Sequence, residues 1–499
     1  MNLMSTTNWR ELAASLKIRS KLFINGQLVD AQSGKTFAAI NPATGKPIAN
    51  VAAGDVADVD AAVASARKAF NSGSWSRRAP SDRKKVLLRF SELMLAHGDE
   101  IALLDTLSMG KTIGDSRNIE VPVSANCIAW YGEAIDKIYD EVAPTGSDAL
   151  ALITREPIGV VGAVVPWNFP TLMTCWKLGP ALAAGNSVVL KPAEQSPLSA
   201  LLLAELALEA GIPEGVFNVV TGFGEIAGRA LGLHRDVDAV TFTGSTEVGK
   251  LFLGYAAKSN MKRVSLECGG KSPHIVMADC PNLDEAAIAA AYGVFFNQGE
   301  VCNAGSRLII DEAIKDEFLA KVIEISKTLK PGDPLDPESK LGAIVSESQM
   351  NRVLEYIDIG RKEGAQVVLG GERVRTESGG YFVEPTIFDG VKNSMRIAQE
   401  EIFGPALATI TFKGADEALQ IANDTIYGLG AAVWTSNIDT AMSMSRGLKA
   451  GVVWVNCFDE GNITVPFGGV KQSGFGRDKS LHAIEKYTDL KTTWIKLRK

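Results

Sequence analysis

Short apolar runs recur through the middle of the chain, and helical patterns separate them. Four of these runs are rich in β-branched residues and end in Gly, Pro or polar residues: "GVVGAVVPWNFP" (159–170), "GNSVVLKPAE" (185–194), "GVFNVVTGFG" (215–224) and "VDAVTFTGS" (237–245). The intervening stretch "SPLSALLLAELALEAG" repeats apolar residues at intervals of three and four, which is typical of a helix. Strands that alternate with helices predict parallel βαβ units in a sheet that is covered on both faces. Nucleotides bind at the carboxyl ends of the strands in such sheets.

The flanking segments continue the α/β pattern. Residues 56–70 place apolar side chains on one helical face, and "SRLIIDEAIKDEFLAKVIEISKTL", beyond position 271, reads as a strand followed by a helix. Two segments, 149–157 and 487–497, have strand-like composition but fit neither block. They form either an arm that pairs with another subunit or edge strands, and the residues alone favour neither. With 499 residues, the chain is long enough for two or three domains.

Composition and charge argue against several classes of protein. A net charge of -7 and a pI near 5.4 leave no basic footprint, so we expect no nucleic-acid partner. Six cysteines without a CxxC pair and four histidines without an HExxH motif predict neither a metal site nor a disulfide framework. The most apolar long run, 160–185, is interrupted by prolines and polar residues, so we expect no membrane span.

The N-terminal segment lacks the continuous apolar stretch of a signal peptide. It is mildly basic, which leaves a transit peptide as an alternative, but it reads better as an ordinary first helix. Because no disulfide framework is predicted either, we expect a reducing, cytoplasmic setting.

Two glycine-rich turns follow predicted strands. "GSTEVGK" (244–250) begins like the P-loop of nucleotide hydrolases, but Leu251 stands where such enzymes need a Ser or Thr that binds magnesium. The amide groups at the start of the following helix can still bind a diphosphate. "GFGEIAG" (222–228) departs from the G-x-G-x-x-G pattern and is a weak signal by itself. Both turns are also compatible with ordinary strand-to-helix connections.

Two charged residues in "LKPAE" strengthen the nucleotide hypothesis. Lys191 and Glu194 follow a strand at the edge of the sheet where a nucleotide lies. A carboxylate at this edge accepts hydrogen bonds from ribose hydroxyls and repels a 2′-phosphate, which favours NAD over NADP. The alternative is a pair of solvated loop charges.

One cysteine has unusual neighbours. Cys302 lies in "FFNQGEVCNAGSR" (295–307) among Gly, Glu and Asn, whereas buried cysteines usually have apolar neighbours. At an ordinary pKa of about 8.5 a thiol is only slightly ionised at neutral pH, yet it is already a strong nucleophile. Cysteine–histidine chemistry of the protease type is disfavoured, because the four histidines are isolated and no protease signature surrounds Cys302.

Seven motifs agree with one family in order and spacing. They are "VVPWNFP", "LKPAE", "FTGSTEVG", "LECGGKSP", "NQGEVCNAGSR", "EEIFGP" and "VPFGGVKQSGFGRD". From about residue 20 to its end, the chain resembles the NAD(P)-dependent aldehyde dehydrogenases. Within that superfamily, "SNMKRVSLECGGKS" and "VPFGGVKQSGFGRDKSLHAIEKYTDLKTTWI" look most like the γ-glutamyl-γ-aminobutyraldehyde dehydrogenase group.

The resemblance implies an α/β fold of the aldehyde dehydrogenase type and a division of the chain. A Rossmann-type NAD-binding domain is expected over 20–140 and 158–270, and an α/β catalytic domain over 271–477. A small β oligomerisation arm is expected over 141–157 and 484–499. Family members are usually dimers or tetramers, so the resemblance implies a homodimer or a homotetramer.

The resemblance also implies the catalytic residues. Cys302 matches the nucleophile that forms a thiohemiacetal and then a thioester with the aldehyde. Asn168 matches the side-chain donor to the oxyanion, and Glu267 matches the base that activates water to hydrolyse the thioester. Lys177 matches a lysine that passes protons near this base. Where some relatives have a second glutamate, this chain has Asp478, so a supporting role in the water path does not carry over.

Two further sets of residues follow from the resemblance. The cofactor set is Pro166, Trp167, Lys191, Glu194, Gly224, Gly244, Ser245, Glu401 and Phe403, with NAD expected and NADP as the alternative. Packing under its loop is a second interpretation of Trp167. The substrate-pocket set is Phe169, Leu172, Trp176, Phe458, Asp459, Glu460 and Phe467. It suggests an apolar, aromatic tunnel with two carboxylates near its mouth.

The two carboxylates guide the choice of substrate. Asp459 and Glu460 attract a distal ammonium or guanidinium group, since close, partly shielded charges interact by about 4 kcal/mol at an effective dielectric near 20. We therefore expect ω-amino or γ-glutamylamino aldehydes from polyamine catabolism, with simple aliphatic aldehydes as the alternative. A solvated loop pair is the alternative interpretation of the carboxylates. A P-loop-like nucleotide hydrolase is the third hypothesis, but it explains only "GSTEVGK".

Overall fold

The computed structural model describes residues 7–498 of the chain. Its largest sheet contains β1 (Leu22–Ile24), β2 (Gln27–Val29), β7 (Val160–Val164), β8 (Ser187–Lys191), β9 (Phe217–Val219), β10 (Ala239–Gly244), β11 (Arg263–Cys268) and β21 (Gly474–Phe475). These strands lie in the order β2-β1-β9-β8-β7-β10-β11-β21. The strands from β9 to β11 are parallel, and the outer ones pair antiparallel. The four predicted strands are thus confirmed as neighbours in a parallel sheet.

A second sheet follows the first along the chain. It contains β12 (Pro273–Val276), β13 (Arg307–Asp311), β14 (Gln366–Leu369), β17 (Thr386–Asp389), β18 (Ala406–Phe412), β19 (Gly430–Trp434) and β20 (Val452–Val455). The order is β14-β17-β18-β13-β12-β19-β20, and only β14 is antiparallel to its neighbour. The predicted second α/β series is therefore confirmed.

Three small antiparallel sheets complete the β structure of residues 7–498. One is the hairpin of β3 (Thr36–Asn41) and β4 (Lys46–Ala52), and another pairs β15 (Arg373–Val374) with β16 (Phe382–Val383). The third joins β5 (Glu141–Ala143), β6 (Ala149–Pro157) and β22 (Thr488–Lys496) in the order β22-β6-β5. This third sheet contains both segments that fitted neither α/β block, so the predicted fold class, with its small β element, is confirmed.

The helices of the described residues cover the sheets. They are α1 (Trp9–Ala14), α2 (Val56–Ser72), α3 (Pro80–Ala96), α4 (Gly98–Met109), α5 (Ile113–Asp115), α6 (Val121–Ala134), α7 (Pro170–Ala184), α8 (Leu198–Ala210), α9 (Arg229–Leu233), α10 (Thr246–Ala257), α11 (Leu283–Phe295), α12 (Lys315–Ser326), α13 (Glu347–Glu363), α14 (Arg396–Gln399), α15 (Gly414–Asn423) and α16 (Ile438–Gly447). Across residues 7–498, no helix combines the length and apolarity that a membrane crossing needs.

The alternation of side chains along β7 shows why this sheet is buried on both faces. Val161 and Ala163 pack in a cluster with residues of α3, α6, α7 and α8. Val160 and Val164 pack in a second cluster with residues of α2, α9 and α10. The continuous apolar run is therefore the sequence signature of a strand with helices above and below it.

The predicted domain boundaries stay a prediction. The short strand β21 lies inside the segment 271–477 but pairs with β11 of the first sheet. The predicted arm contains β6 and β22, and its last residue, Lys499, lies outside the described part of the chain.

Candidate active site

A strained turn precedes Cys302. Directly after α11, Asn297, Gln298 and Gly299 adopt left-handed backbone conformations, with φ values of 50°, 59° and 75°. Such conformations cost energy in non-glycine residues, so the surroundings have to hold them in place. The Nδ2 group of Asn297 donates to the backbone carbonyls of Asn168 and Glu300, each at 3.2 Å, and Gln298 Oε1 accepts a backbone N–H at 2.8 Å. The loop that carries the predicted nucleophile is therefore fixed by amide hydrogen bonds.

Asn168 is tied to this loop from the opposite side. It is a buried residue between β7 and α7, and its Nδ2 donates to the carbonyl of Glu300 at 2.9 Å. Because a side-chain amide carries two N–H groups, this bond orients the amide and leaves one N–H for another acceptor. The structure thus brings the amide of Asn168 to the loop that carries the predicted nucleophile.

Cys302 is partly exposed, and its thiol lies in a protein-crowded, acidic environment. Burial raises the pKa of the thiol above its ordinary value, and the carboxylates of Glu401, Asp459 and Glu267 raise it further. In the resting site the thiol is therefore protonated to a greater extent than the ordinary pKa of about 8.5 implies. The ordinary pKa that the sequence analysis assigned to Cys302 is therefore replaced by a raised one.

Glu267 and Cys268 end β11 and face opposite sides of the sheet, as strand alternation requires. Gly468 packs against the carboxyl group of Glu267, where an added Cβ would lie 2.6 Å from Oε1, and Gly249 packs against the sulfur of Cys268. Within residues 7–498, neither carboxyl oxygen of Glu267 has a hydrogen-bond partner. Burial raises the pKa of Glu267 well above its ordinary value, and the charge of Asp478 adds to this effect.

Three buried charged side chains lie beside Glu267. The ammonium groups of Lys177 and Lys486 each donate to one carboxylate oxygen of Asp478. Asp478 is completely buried and Lys177 nearly so. Burial raises the pKa of Asp478, but the two lysines outweigh that effect and hold it below its ordinary value. Asp478 is therefore ionised, and Lys177 is fixed by it, although the family comparison had left Asp478 without a role.

The carboxyl edge of the first sheet gathers the residues predicted to bind the adenosine and diphosphate. The ammonium of Lys191, at the end of β8, forms an ion pair of 2.8 Å with Glu194. Gly244 ends β10, and the Ser245 hydroxyl caps α10 by accepting the N–H of Val248 at 3.2 Å. Ser245 and Glu247 are exposed and Thr246 is half-buried, so the start of α10 can receive an anionic diphosphate.

Gly224 lies on a separate turn of this edge. It begins a short π-helical segment, Gly224–Gly228, and an added Cβ there would meet nothing within 4 Å. The lysine of "GSTEVGK" does not turn back toward the helix start as a P-loop lysine does. Lys250 instead donates to Gln472 Oε1 at 2.8 Å.

Glu401 and Phe403 lie next to the nucleophile loop. Glu401 Oε1 accepts the backbone N–H of Gly270 at 3.1 Å, and its carboxyl group fills the space that a side chain at Gly269 would need. Burial raises the pKa of Glu401 to about 7. The ring of Trp167 packs edge-on against Phe403, with centroids 5.2 Å apart.

These residues suit a nicotinamide dinucleotide. Ribose hydroxyls need acceptors such as Glu194 and Glu401, and a diphosphate needs free helix amides, which α10 offers. Pro166 and Trp167 lie in the chain between β7 and α7, and Trp167 contacts Phe403. No cluster of metal-ligating side chains occurs among residues 7–498.

The predicted substrate residues form two aromatic walls. Trp176 and Phe467 pack with ring centroids 5.3 Å apart, and Phe169 lies 6.2 Å from Phe296 of the nucleophile loop. Leu172 is half-buried on the same helix as Trp176. The backbone N–H of Leu172 is held at 3.1 Å by a carboxylate on the π-helical turn Ser116–Glu120.

Phe458 is fixed by an aromatic stack behind the site. Its ring lies 5.0 Å from that of His274 at an interplanar angle of 17°, and 5.1 Å from that of Trp454. His274 Nε2 accepts the indole N–H of Trp434 at 2.9 Å, and burial lowers the pKa of His274 to about 3. His274 is therefore a neutral packing residue.

The two predicted carboxylates differ in position. Asp459 Oδ1 accepts from Asn303 Nδ2 at 2.6 Å, immediately beside Cys302, and Asp459 stays accessible to solvent. Protein atoms around its carboxylate raise the pKa of Asp459. Glu460 has an exposed side chain and contributes its backbone carbonyl to the indole N–H of Trp454 at 2.8 Å. The structure thus brings Asp459, rather than Glu460, to the nucleophile.

Sequence reasoning missed several residues of the site. Asn297 and Asn303 flank the nucleophile, and Lys479 and Lys486 follow Asp478 in "GRDKSLHAIEKY". The sequence around Cys302 did indicate a role for the two asparagines, because asparagines near glycines often hold tight turns. Nothing in the sequence distinguishes Lys486 from a surface lysine, because its buried partner lies on another turn of the chain.

Two features define the class of this protein. One is a parallel sheet whose edge suits a dinucleotide, and the other is a cysteine flanked by an amide donor and a buried carboxyl group. Together they define a nicotinamide-dependent dehydrogenase with a cysteine nucleophile. Residues 28–493 match the model of the aldehyde dehydrogenase family, and the chain belongs to that family. It is an NAD(P)-dependent aldehyde dehydrogenase, with NAD as its cofactor and NADP as the alternative.

Three relatives illustrate this membership. The chain is 52% identical over 497 residues to the NADP/NAD-dependent aldehyde dehydrogenase PuuC of Escherichia coli (strain K12), covering 100% of both chains. A solved indole-3-acetaldehyde dehydrogenase in complex with NAD+ is 59% identical, with a TM-score of 0.98 and coverage of 98% and 99%. A γ-glutamyl-γ-aminobutyraldehyde dehydrogenase from Burkholderia cenocepacia J2315 is 57% identical, with a TM-score of 0.97 and coverage of 98% and 99%.

Proposed function

We propose that the enzyme oxidises ω-amino or γ-glutamylamino aldehydes to the corresponding acids, and that Cys302 is its nucleophile. The observation that supports this proposal most directly is the hydrogen bond from Asn303 Nδ2 to Asp459. It places a carboxylate beside the residue that follows Cys302. A cationic group at the far end of a short aldehyde is attracted by this carboxylate while the carbonyl carbon meets the sulfur.

The first half of the reaction belongs to the nucleophile loop. The thiol of Cys302 releases its proton to a neighbouring carboxylate or to solvent, and the sulfur adds to the aldehyde carbon. The carbonyl oxygen of the adduct then carries the negative charge. The N–H of Asn168 that does not bind Glu300 stabilises this oxygen, because a fixed donor needs no reorganisation when the charge develops. When bound at this edge, NAD would supply the hydride acceptor that oxidises the adduct. Glu401 and Phe403 orient the nicotinamide end of the cofactor.

The second half belongs to Glu267. The thioester on Cys302 is hydrolysed by water, and Glu267 accepts a proton from that water. Its raised pKa suits this task, because a base with an elevated pKa takes up the proton more readily. The ammonium of Lys177, held by Asp478, limits how far the pKa of Glu267 rises.

Substrate preference tests the role of Asp459. We expect kcat/KM for an ω-aminoaldehyde to exceed that for a neutral aldehyde of equal length, and Asp459→Asn to reduce this ratio by at least about tenfold. Glu460→Gln is the matched control, because its side chain is exposed, and it should leave the ratio nearly unchanged. A ratio that survives in Asp459→Asn rejects the charge argument and favours a broad-specificity aliphatic aldehyde dehydrogenase.

The three-stranded sheet supports a proposal about assembly. Leu490 and Trp494 on one face of β22, and Val142 of β5 on the opposite face, are exposed, with 66%, 65% and 68% of their surface accessible. Apolar side chains in such numbers at a sheet are typical of surfaces that another subunit covers. We propose a homodimer or homotetramer in which this sheet pairs with another copy. Light scattering of wild type and Trp494→Glu tests it, and an unchanged mass would contradict this contact.

The thiol chemistry supports a proposal about the compartment. All six cysteines are free, and Cys302 has to stay reduced to react. We propose that the enzyme works in a reducing, cytoplasmic setting. Fractionation of expressing cells checks this, and export of the protein would contradict it.

A further inference from the structure

Lys479 stands over the aromatic wall of the substrate pocket. Its Nζ lies 5.8 Å from the ring centroid of Trp176 and 5.9 Å from that of Phe467. These two rings pack against each other, so a single ammonium group faces both members of one wall. Lys479 is half-buried there, and neither the resemblance to the family nor the geometry of Cys302 assigns it a role.

The charge of Lys479 has no direct partner. Asp478, its neighbour in the chain, is already bound on both oxygens by Lys177 and Lys486. Within the part of the chain that the structure describes, Lys479 forms no ion pair. Burial lowers the pKa of its ammonium group, and the charge of Asp459, followed by that of Cys127, works against this effect. Lys479 is therefore a partly desolvated cation that lacks an anion in contact.

The backbone at this point is strained. Lys479 and Ser480 follow each other with φ values of 61° and 52°, in the left-handed region that non-glycine residues rarely occupy. The strained pair is held by the Ser480 backbone, whose carbonyl accepts the Tyr131 hydroxyl at 3.0 Å and whose N–H donates to Ile463 at 2.7 Å. Such strain persists where the surroundings hold a side chain in a required position.

Asp459 and Lys479 give the pocket two opposite charges that do not touch. Each charge lowers the free-energy cost of removing the other from water, although the two groups are not in contact. Lys479 accordingly opposes the rise in the pKa of Asp459. A bare ω-ammonium group is attracted by Asp459 but repelled by Lys479. A head group that carries both an ammonium and a carboxylate satisfies both charges at once.

We propose that Lys479 recognises a carboxylate, and that with Asp459 it selects aldehydes whose far end is an α-amino acid. This inference rests on the proposed function and narrows it. Between the two substrate classes considered there, it favours γ-glutamylamino aldehydes over simple ω-aminoaldehydes. Lys479 acts on binding rather than on the reacting carbon, because it lies on the pocket wall and not on the nucleophile loop.

The test compares four aldehydes of matched length: one with an α-amino acid head, one with a terminal ammonium, one with a terminal carboxylate and one neutral. In wild type, kcat/KM should be highest for the amino acid head. Lys479→Met keeps the length of the side chain and removes its charge. It should lower the ratio of kcat/KM between each carboxylate-bearing aldehyde and the neutral one by about tenfold or more, mainly through KM.

Other variants separate charge from structure. Lys479→Arg should restore most of the ratio, and Lys479→Gln should behave like Lys479→Met. Lys330→Met, at an exposed loop lysine, is the matched control and should keep the wild-type ratio. An unchanged ratio in Lys479→Met and Lys479→Gln overturns the proposal, as does a loss that Lys479→Arg fails to restore.

The same aldehyde set distinguishes this inference from the proposed function. Asp459→Asn should lower the ratio of kcat/KM between the ammonium-bearing aldehydes and the neutral one. Lys479→Met should lower the corresponding ratio for the carboxylate-bearing aldehydes. If only the ammonium effect is absent, the argument from Asp459 fails and Lys479 still recognises a carboxylate. If only the carboxylate effect is absent, Lys479 has no such role and the preference for ω-aminoaldehydes stands.

Discussion

At the Cys302 end of the site, neutral amides and backbone groups hold the chain, whereas at the Glu267 end buried charges do. The nucleophile end, defined by Cys302, Asn168 and Asn297, rests on three hydrogen bonds from amide nitrogens to backbone carbonyls. The base end, defined by Glu267, Lys177, Asp478 and Lys486, rests on two ion pairs that share one carboxylate.

The difference reflects what each half of the reaction requires. Attack on a carbonyl depends on geometry, and amide hydrogen bonds fix positions without themselves adding charge near a developing oxyanion. Activation of water depends on the proton affinity of one carboxyl group, which burial and nearby charges set. Amide hydrogen bonds therefore dominate in fixing the nucleophile loop, whereas ion pairs dominate around the base.

Loss of the sulfur should have the largest effect, because it removes the step on which both ends depend. We expect Cys302→Ala to lower kcat by more than about 10⁴-fold, since no covalent adduct can form. The rate of NADH formation measures this, and a fluorescence titration with NAD should show that the cofactor still binds. Oxidation at the original rate would contradict the assignment of the nucleophile.

Glu267→Gln should slow the activation of water at the base end and leave the reaction of Cys302 with the aldehyde intact. We expect kcat to fall by roughly 10²–10⁴-fold, because water is no longer deprotonated, while a burst of NADH remains. The raised pKa also sets the pH dependence. The base works when ionised, so wild-type deacylation should weaken as pH falls through that pKa, well above the usual range of a glutamate. Stopped-flow measurement across pH checks both points, and loss of the burst would argue against this division of labour.

Asn168→Ala should slow the formation of the adduct at the nucleophile end and leave the proton affinity of Glu267 unchanged. We expect the burst itself to slow by roughly 10²–10³-fold, because one oxyanion donor is lost. Hydrolysis of a preformed thioester also passes through an oxyanion, so the amplitude and the rate of the burst have to be measured separately. A normal burst rate would show that Asn168 does not contact the oxyanion.

Asp478→Asn should affect stability more than the chemical steps. Without the carboxylate, two buried ammonium groups lose their shared partner, and we expect a loss of about 3 kcal/mol in the free energy of unfolding. The pKa of Asp478 is lowered in the folded state, so its contribution to stability is complete above the unfolded-state pKa of about 3.9. The loss of stability in Asp478→Asn should therefore not vary between pH 5 and 8.

Glu267→Gln supplies the contrasting stability profile. The folded pKa of Glu267 is raised, so the wild type loses stability as pH rises above the unfolded value, and this variant should become relatively more stable with increasing pH. Thermal midpoints at a fixed scan rate measure both variants. Equal pH profiles for Asp478→Asn and Glu267→Gln would contradict the electrostatic account of the base end.

Much of the site was predictable because its parts lie in short, local motifs. The strands that end at Lys191 and Gly244, and the loop that carries Cys302, follow from the sequence, since apolar periodicity and glycine placement act over a few residues. The positions of Asp459 and Glu460 were not distinguishable, because both belong to the same loop and only its packed conformation orients one of them toward Asn303.

By itself, the sequence determined the alternating α/β order and the family, and it predicted the cofactor edge and the reactive residues. Tertiary structure alone decided the ionisation of those residues and the partners that set it. Lys177, Asp478 and Lys486 are brought together from segments that are far apart or on different turns, and burial strengthens their mutual charges. Periodicity is a local property of the chain, whereas a pKa depends on everything that surrounds a group in three dimensions.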